Sequence, residues 1–171
     1  ELIDHEINAA KNGRKGSMIL KFNSLEDKEI ILKLYEASSA GVKIRLIIRG
    51  ICCLVPGIPE VSENIEVISI VDRFLEHARV FIFHHSGEEL MYLSSADWME
   101  RNLSFRIETT FPVYDPDIRQ EIRTLMDIQL NDNVKARVID KLNLNEYLRT
   151  SSDIPVRAQL ETYFYFKRKL E

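Results

Sequence analysis

Apolar and polar positions along the chain switch repeatedly between a helical and an extended period. Leu2 to Asn12 places Ile3, Ile7 and Ala10 on one side and meets Gly13, which predicts an opening helix. Met18-Ile19-Leu20-Lys21-Phe22 is short and apolar, like a strand. Ser24 with Asp27 three residues on resembles a capping box, and predicts a helix carrying Ile30, Ile31, Leu34 and Ala37 as far as Gly41. Val42 to Ile48 alternates and then turns wholly apolar, a second strand. Strand, helix and strand within about thirty residues make a βαβ unit with a right-handed crossover, so the first two strands should be parallel and central.

After a loop with Pro56, Gly57 and Pro59, Ile65 to Val71 predicts a third strand. Ala78–Phe83 and Leu90–Ser94 flank His84 to Glu89 as a hairpin, and Arg106 to Val113 supplies another strand. Asp115-Pro116-Asp117 starts a helix with an acid at its cap and Pro in its first turn. Its inner stripe is Ile118, Ile122, Leu125 and Ile128 or Gln129, ending near Leu130. Asn131 to Pro155 follows no clear period. Val156 to Leu170 predicts a final helix that packs through Leu160, Tyr163, Phe164 and Phe166. With no internal repeat and no linker, the fold class is α/β: one domain, a mixed β-sheet with flanking helices.

Composition narrows the function. The 171 residues are 45% hydrophobic and 29% charged, a soluble globular balance. Lys and Arg total 23 against 27 Asp and Glu, a net charge of −4, which speaks against a general nucleic-acid coat protein. Cys52 and Cys53 are neighbours, and Cα atoms only ~3.8 Å apart rule out an ordinary disulfide between them. They read as small hydrophobes in a loop, and a reducing cytoplasm is the expected home. No apolar run approaches the ~20 residues of a membrane span, and no signal peptide opens the chain. A peripheral seat at the inner membrane stays open. Because the first residue is Glu1 rather than Met, the chain is expected to be part of a longer protein.

Three clusters could carry chemistry. Arg49-Gly50 stands at the carboxyl end of a central strand, where open α/β sheets gather ligands. Arg there suits phosphate or carboxylate oxygens, and Gly50 leaves room beside it. His77-Ala78-Arg79 precedes an apolar strand, and Ser94-Ser95-Ala96-Asp97 closes the next one. This arrangement resembles one half of the phospholipase D superfamily pattern, with Arg79 for the usual Lys and Asp97 for the usual Asn. The third cluster runs from Trp98 through Arg101 and Asn102 to Arg106. Together Arg49, His77, Arg101 and Arg106 could hold a polyanion, with Lys21, Asn23, Ser95, Asp97 and Asn102 in support. His5, His84 and His85 are expected in solvated or capping positions, and no metal ligand set is read from the sequence.

Longer stretches carry a broader likeness. Asn23-Ser24-Leu25-Glu26-Asp27, Leu34-Tyr35-Glu36-Ala37-Ser38, Ile48-Arg49-Gly50-Ile51-Cys52-Cys53-Leu54-Val55-Pro56-Gly57, Ser69 to His77, Leu93 to Met99 with Arg101-Asn102, and Asn133 to Arg137 resemble the C-terminal region of bacterial polyphosphate kinase. The resemblance covers nearly the whole chain. It implies a phospholipase D-like half and reversible transfer of the terminal phosphate of ATP to inorganic polyphosphate. That transfer would run through a phosphohistidine on the preceding domain of the same chain, with Mg2+, in a homo-oligomer. By the resemblance, His77 matches the second, non-phosphorylated His, an acid/base and phosphate ligand, and Arg49 and Arg106 match arginines on the nucleotide phosphates. Two other readings remain: a phospholipase D-type phosphodiesterase that pairs two copies of His77, and a non-catalytic polyphosphate-binding module.

Overall fold

A computed structural model describes residues 1–149 and 154–171. In chain order the elements are α1 (Leu2–Lys11), β1 (Ser17–Phe22), α2 (Lys28–Ser39), β2 (Lys43–Ile48), β3 (Ile65–Ile70), β4 (Arg79–Phe83), β5 (Leu90–Ser94), α3 (Glu100–Ser104), β6 (Thr110–Pro112), α4 (Pro116–Leu130), β7 (Ala136–Ile139) and α5 (Ala158–Leu170). The described strands form a seven-stranded sheet in the order β6-β5-β4-β1-β2-β3-β7. β1, β2 and β3 are mutually parallel, while β4 pairs antiparallel with both β1 and β5. The expected βαβ unit is therefore present, and β1 lies at the centre.

Alternation along the strands makes two cores. Met18, Leu20 and Phe22 of β1 join Ile44, Leu46 and Ile48 of β2 beneath Ile3 and Ile7 of α1 and Ile31, Leu34 and Ala37 of α2. Ile19 and Ile47 face the other way, toward Met126 and Leu130 of α4 and Ala158 of α5. Each wholly buried Leu or Ile contributes about 1.5–3 kcal/mol by leaving water. Lys21 falls on the α4 side by the same alternation, so its cation is carried into the second core.

Several local expectations need correction. The cap of α2 is Asp27, whose side chain accepts from the Ile30 amide, and not Ser24. Residues Leu25 to Asp27 stay extended because their amides bond the carbonyls of Ile51 and Trp98. The strand expected over Arg106–Val113 shrinks to Thr110–Pro112, since Glu108 is drawn aside by Ser95 and Asn102. Within α4, Ile118 is exposed while Met126 and Leu130 carry the burial, and Gln129 turns inward. Leu160, Tyr163, Phe164 and Phe166 of α5 are exposed, and burial falls on Ala158 and Gln159. Leu160, Tyr163 and Phe164 do share a face at i, i+3 and i+4, but that face stays exposed. From the stretch without a clear period comes β7, an antiparallel edge strand beside β3; residues 150–153 of that stretch lie outside the described residues.

The start of α5 is tied down by Asp132, which is fully buried. One of its carboxylate oxygens accepts from the amides of Val134, Lys135 and Ala136 at 2.9, 2.6 and 3.0 Å, and the other from Ala158 at 2.7 Å. Asp132→Ala leaves these donors unpaired and should cost about 3 kcal/mol or more in urea denaturation. A loss below 1 kcal/mol, on the order of a surface change, would show that water replaces the carboxylate there.

Candidate functional site at one edge of the sheet

Because β1, β2, β3 and β5 run one way and β4 the other, the carboxyl ends of the first four meet the beginning of β4 along one edge. Lys21, Asn23, Arg49, His77, Arg79, Ser95 and Asp97 therefore come to the same edge from distant parts of the chain. Asp97 is at its centre. Its Oδ1 accepts from the Asn23 backbone at 2.7 Å, the Asn23 side-chain amide at 3.0 Å, the Ser24 amide at 3.4 Å and Arg79 Nε at 3.3 Å. Its Oδ2 accepts from Arg79 Nη2 at 3.1 Å. Burial alone would raise this carboxyl, but the Arg79 guanidinium and the Asn23 donors outweigh it and hold Asp97 below the ordinary aspartate value.

The two departures from the phospholipase D pattern are thus one ion pair. Arg79 also donates to the His77 carbonyl at 3.0 Å, and its Nη1 lies 3.3 Å from His77 Nδ1. On the other side of Asp97, Asn23 accepts from Arg49 Nε at 2.7 Å. An unbroken chain of contacts runs Arg49–Asn23–Asp97–Arg79–His77. Gly50 supports it by close approach: its amide bonds the Asn23 carbonyl at 2.8 Å, and an added Cβ would stand 2.8 Å from that same oxygen. The room Gly50 leaves is therefore needed beside the Asn23 backbone.

His77 is exposed, on a loop tethered from beneath. Arg157 forks onto Asp72 with contacts of 2.7 and 2.6 Å. Gln159 accepts from the Phe74 amide and donates to its carbonyl, both at 2.9 Å, and donates to Glu76 at 3.1 Å. Glu76 also receives Lys21 Nζ at 2.9 Å, and Gln129 accepts from the same nitrogen at 2.5 Å. Burial lowers the Lys21 ammonium, Glu76 opposes that, and the nearby Arg49 charge adds to the lowering. Lys21 is a support within the core and is not open to a ligand. Asp72, Glu76, Gln129, Arg157 and Gln159 were missed in the sequence because their partners lie far along the chain.

The third cluster sorts differently. Ser95 and Asn102 both bond Glu108, the latter at 2.6 Å, and Ser95 also accepts from the Thr109 amide, so they brace the loop before β6. Those two donors hold the Glu108 carboxyl below its usual range, with the Arg106 and Arg79 charges adding to them. Arg106 lies exposed on that loop and Arg101 exposed on α3. Cys52 is half-buried and its thiol is pushed up to about 11 by that burial, which keeps it protonated; Cys53 is exposed rather than packed. His5 and His85 are not in solvated or capping positions: their rings stack on each other at the opposite edge. The carboxylates bonded into the candidate site, Asp72, Glu76, Asp97 and Glu108, are each engaged by cations or amides. Among the described residues these carboxylates do not come together as a cluster of metal donors.

The sheet and its flanking helices have the phospholipase D fold. A phospholipase D family member, Nuc from Salmonella typhimurium, aligns with a TM-score of 0.55 at 14% identity over 78% of this chain and 88% of that one. NucT from Helicobacter pylori aligns with a TM-score of 0.54 at 14% identity over 75% and 87%. Much greater likeness is found elsewhere. Polyphosphate kinase from Porphyromonas gingivalis superposes with a TM-score of 0.94 at 53% identity, covering 98% of this chain and 26% of that one. The polyphosphate kinases of Vibrio vulnificus and Halalkalibacterium halodurans are 54% and 55% identical over 97% and 96% of this chain. The family description "Polyphosphate kinase C-terminal domain 2" matches residues 1–159. The chain belongs to the polyphosphate kinase family, and it spans about a quarter of the length of these relatives (24% and 23%).

Two measurements check the geometry. Gly50→Ala forces the Asn23 carbonyl aside and should destabilise by about 1–3 kcal/mol in urea denaturation; full stability would mean that the backbone yields freely. The depressed Asp97 carboxyl contributes stability that is complete above the unfolded value near 3.9 and disappears as pH falls through its lower folded value. Asp97→Asn should therefore be less stable at neutral pH and lose less than the parent on acidification to about pH 3. Parallel acid profiles for the two proteins would contradict this.

Proposed function

We propose that this chain supplies one half of the phosphoryl-transfer site of a polyphosphate kinase, which moves the terminal phosphate of ATP reversibly onto inorganic polyphosphate. The observation that carries the reading is the continuous chain from Arg49 through Asn23, Asp97 and Arg79 to His77, in a sequence more than half identical to polyphosphate kinases. Phosphoryl transfer depends mainly on positioning and on neutralising phosphate charge. Arg49 is fixed at Nε by Asn23, which leaves the outer guanidinium nitrogens to face phosphate oxygens. Arg106 supplies a second cation from the β6 side. His77, seated by Arg79 and by the tether from α5, protonates a departing phosphate oxygen or stabilises it as imidazolium.

The phosphorylated His belongs, in this reading, to the preceding domain of the same chain. Phe74 and Leu75 beside His77, each 71% exposed, and Phe105 and Ile107 beside Arg106 would be covered by that domain. Such a protein would act on ATP and polyphosphate as a homo-oligomer, with Mg2+ held by groups outside this edge. No helix among the described residues is long and apolar enough to cross a membrane.

In the full-length enzyme, His77→Ala should lower kcat about a hundredfold or more, far more than it weakens ATP binding. Near-normal turnover would remove His77 from the mechanism. Arg49→Ala and Arg106→Ala should each weaken ATP binding about tenfold by calorimetry, through loss of a charge-assisted contact. Undiminished affinity in both would overturn the phosphate assignment. Hydrolysis of a phosphodiester by the chain alone would favour the phospholipase D-type reading instead.

A further inference from the structure

At the sheet edge opposite the candidate site, α1 meets the β4–β5 hairpin through three side chains that phosphoryl transfer does not use. The imidazoles of His5 and His85 stack with centroids 3.9 Å apart and 28° between planes. Nδ1 of each ring is buried without a protein hydrogen-bond partner. Beside them Glu6 is fully buried, its two oxygens accepting from the His85 amide at 2.6 Å and the Ser17 amide at 3.0 Å. Each of the three residues offers one donor atom, and these atoms lie within 4.8 Å of one another. It is the one such group among the described residues.

Two features make this more than chance proximity. Imidazole nitrogens direct their lone pairs in the ring plane, so stacked rings cannot bond each other and need a third group. Leaving a buried polar atom unpaired costs about 1–3 kcal/mol, and here two such atoms sit together. The backbone that delivers His85 is also strained: His85 and Ser86 have φ of 43° and 58°, the left-handed region that favours glycine. The Glu6 bond to the His85 amide holds the hairpin in that shape.

We propose that His5, Glu6 and His85 form a binding site for a divalent transition metal of the Zn2+ type, which clamps α1 to the β4–β5 hairpin. Two imidazoles and a carboxylate suit Zn2+ and disfavour Mg2+, which prefers oxygen ligands only. Bonds near 2.1 Å around a tetrahedral ion bring donors to about 3.4 Å apart, and because each lone pair lies in its ring plane the two imidazoles swing out of their stack to converge on the metal. Each carboxylate oxygen keeps a second lone pair beside its amide bond, and water completes the fourth position. The site is structural and separate from the Arg49–His77 edge.

Titration of the purified chain with Zn2+ and Co2+ tests this, read by calorimetry, thermal melting and Co2+ absorption. The expected result is one saturable equivalent, a raised Tm, and a tetrahedral Co2+ spectrum without thiolate charge-transfer bands, which separates this site from Cys52 and Cys53. His5→Ala and His85→Ala should each weaken Zn2+ on the order of a hundredfold, the upper range seen even for groups that only support a ligand. The neighbouring His84→Ala should leave binding unchanged. Where alanine prevents folding, His5→Phe and His85→Phe preserve the ring contact while removing the nitrogens. Absence of saturable binding by the parent chain overturns the proposal, as does undiminished affinity in the folded Phe variants or a thiolate spectrum.

Discussion

One carboxylate organises the candidate edge. Asp97 collects the amides of Asn23 and Ser24 from the end of β1 and the guanidinium of Arg79 from the start of β4. A buried charge is tolerated only when it is paired and hydrogen-bonded on several sides. The contacts that satisfy Asp97 also orient the side chains on either side of it. Asn23 is left facing Arg49 with its oxygen, and Arg79 is left facing His77 with its outer nitrogen. Arg79 and Asp97 thus tie the start of β4 to the segment after β5 by an ion pair.

The same logic explains how an acidic chain can present a cationic edge. Carboxylates near the site are spent inside the protein: Asp72 on Arg157, Glu76 on Lys21, Asp97 on Arg79. Arg101 and Arg106 remain exposed, and Arg49 is held only through a neutral amide. Net charge is a sum over the surface, whereas a phosphate meets the local arrangement.

The central βαβ unit, the hairpin and the capped helix α4 were legible because their signals are local: alternation, Gly41, and Asp115-Pro116. Arg49 and His77 were legible at the ends of such elements. What escaped was governed by distant partners. Ser24 looks like a cap until Asp97 and Trp98 claim its neighbourhood, and Leu160, Tyr163 and Phe164 of α5 have the spacing of a packing stripe although that face is left exposed. The tether of His77 through Asp72, Phe74 and Glu76 has no local signature at all. Nor does the stacking of His5 on His85, which depends on α1 and the hairpin meeting across the sheet.

The tether between α5 and the loop that carries His77 joins residues 85 positions apart. Contacts so distant in sequence close late, because the entropy of the intervening chain must be lost first. During synthesis β1, β2, β3 and the β4–β5 hairpin can pair as soon as they emerge, but until Arg157 and Gln159 are made the histidine loop is held only by Lys21 on Glu76 and by Arg79 on the His77 carbonyl. The candidate edge is thus completed only when α5 docks, and removing Arg157 and Gln159 would keep the sheet while loosening the loop that carries His77.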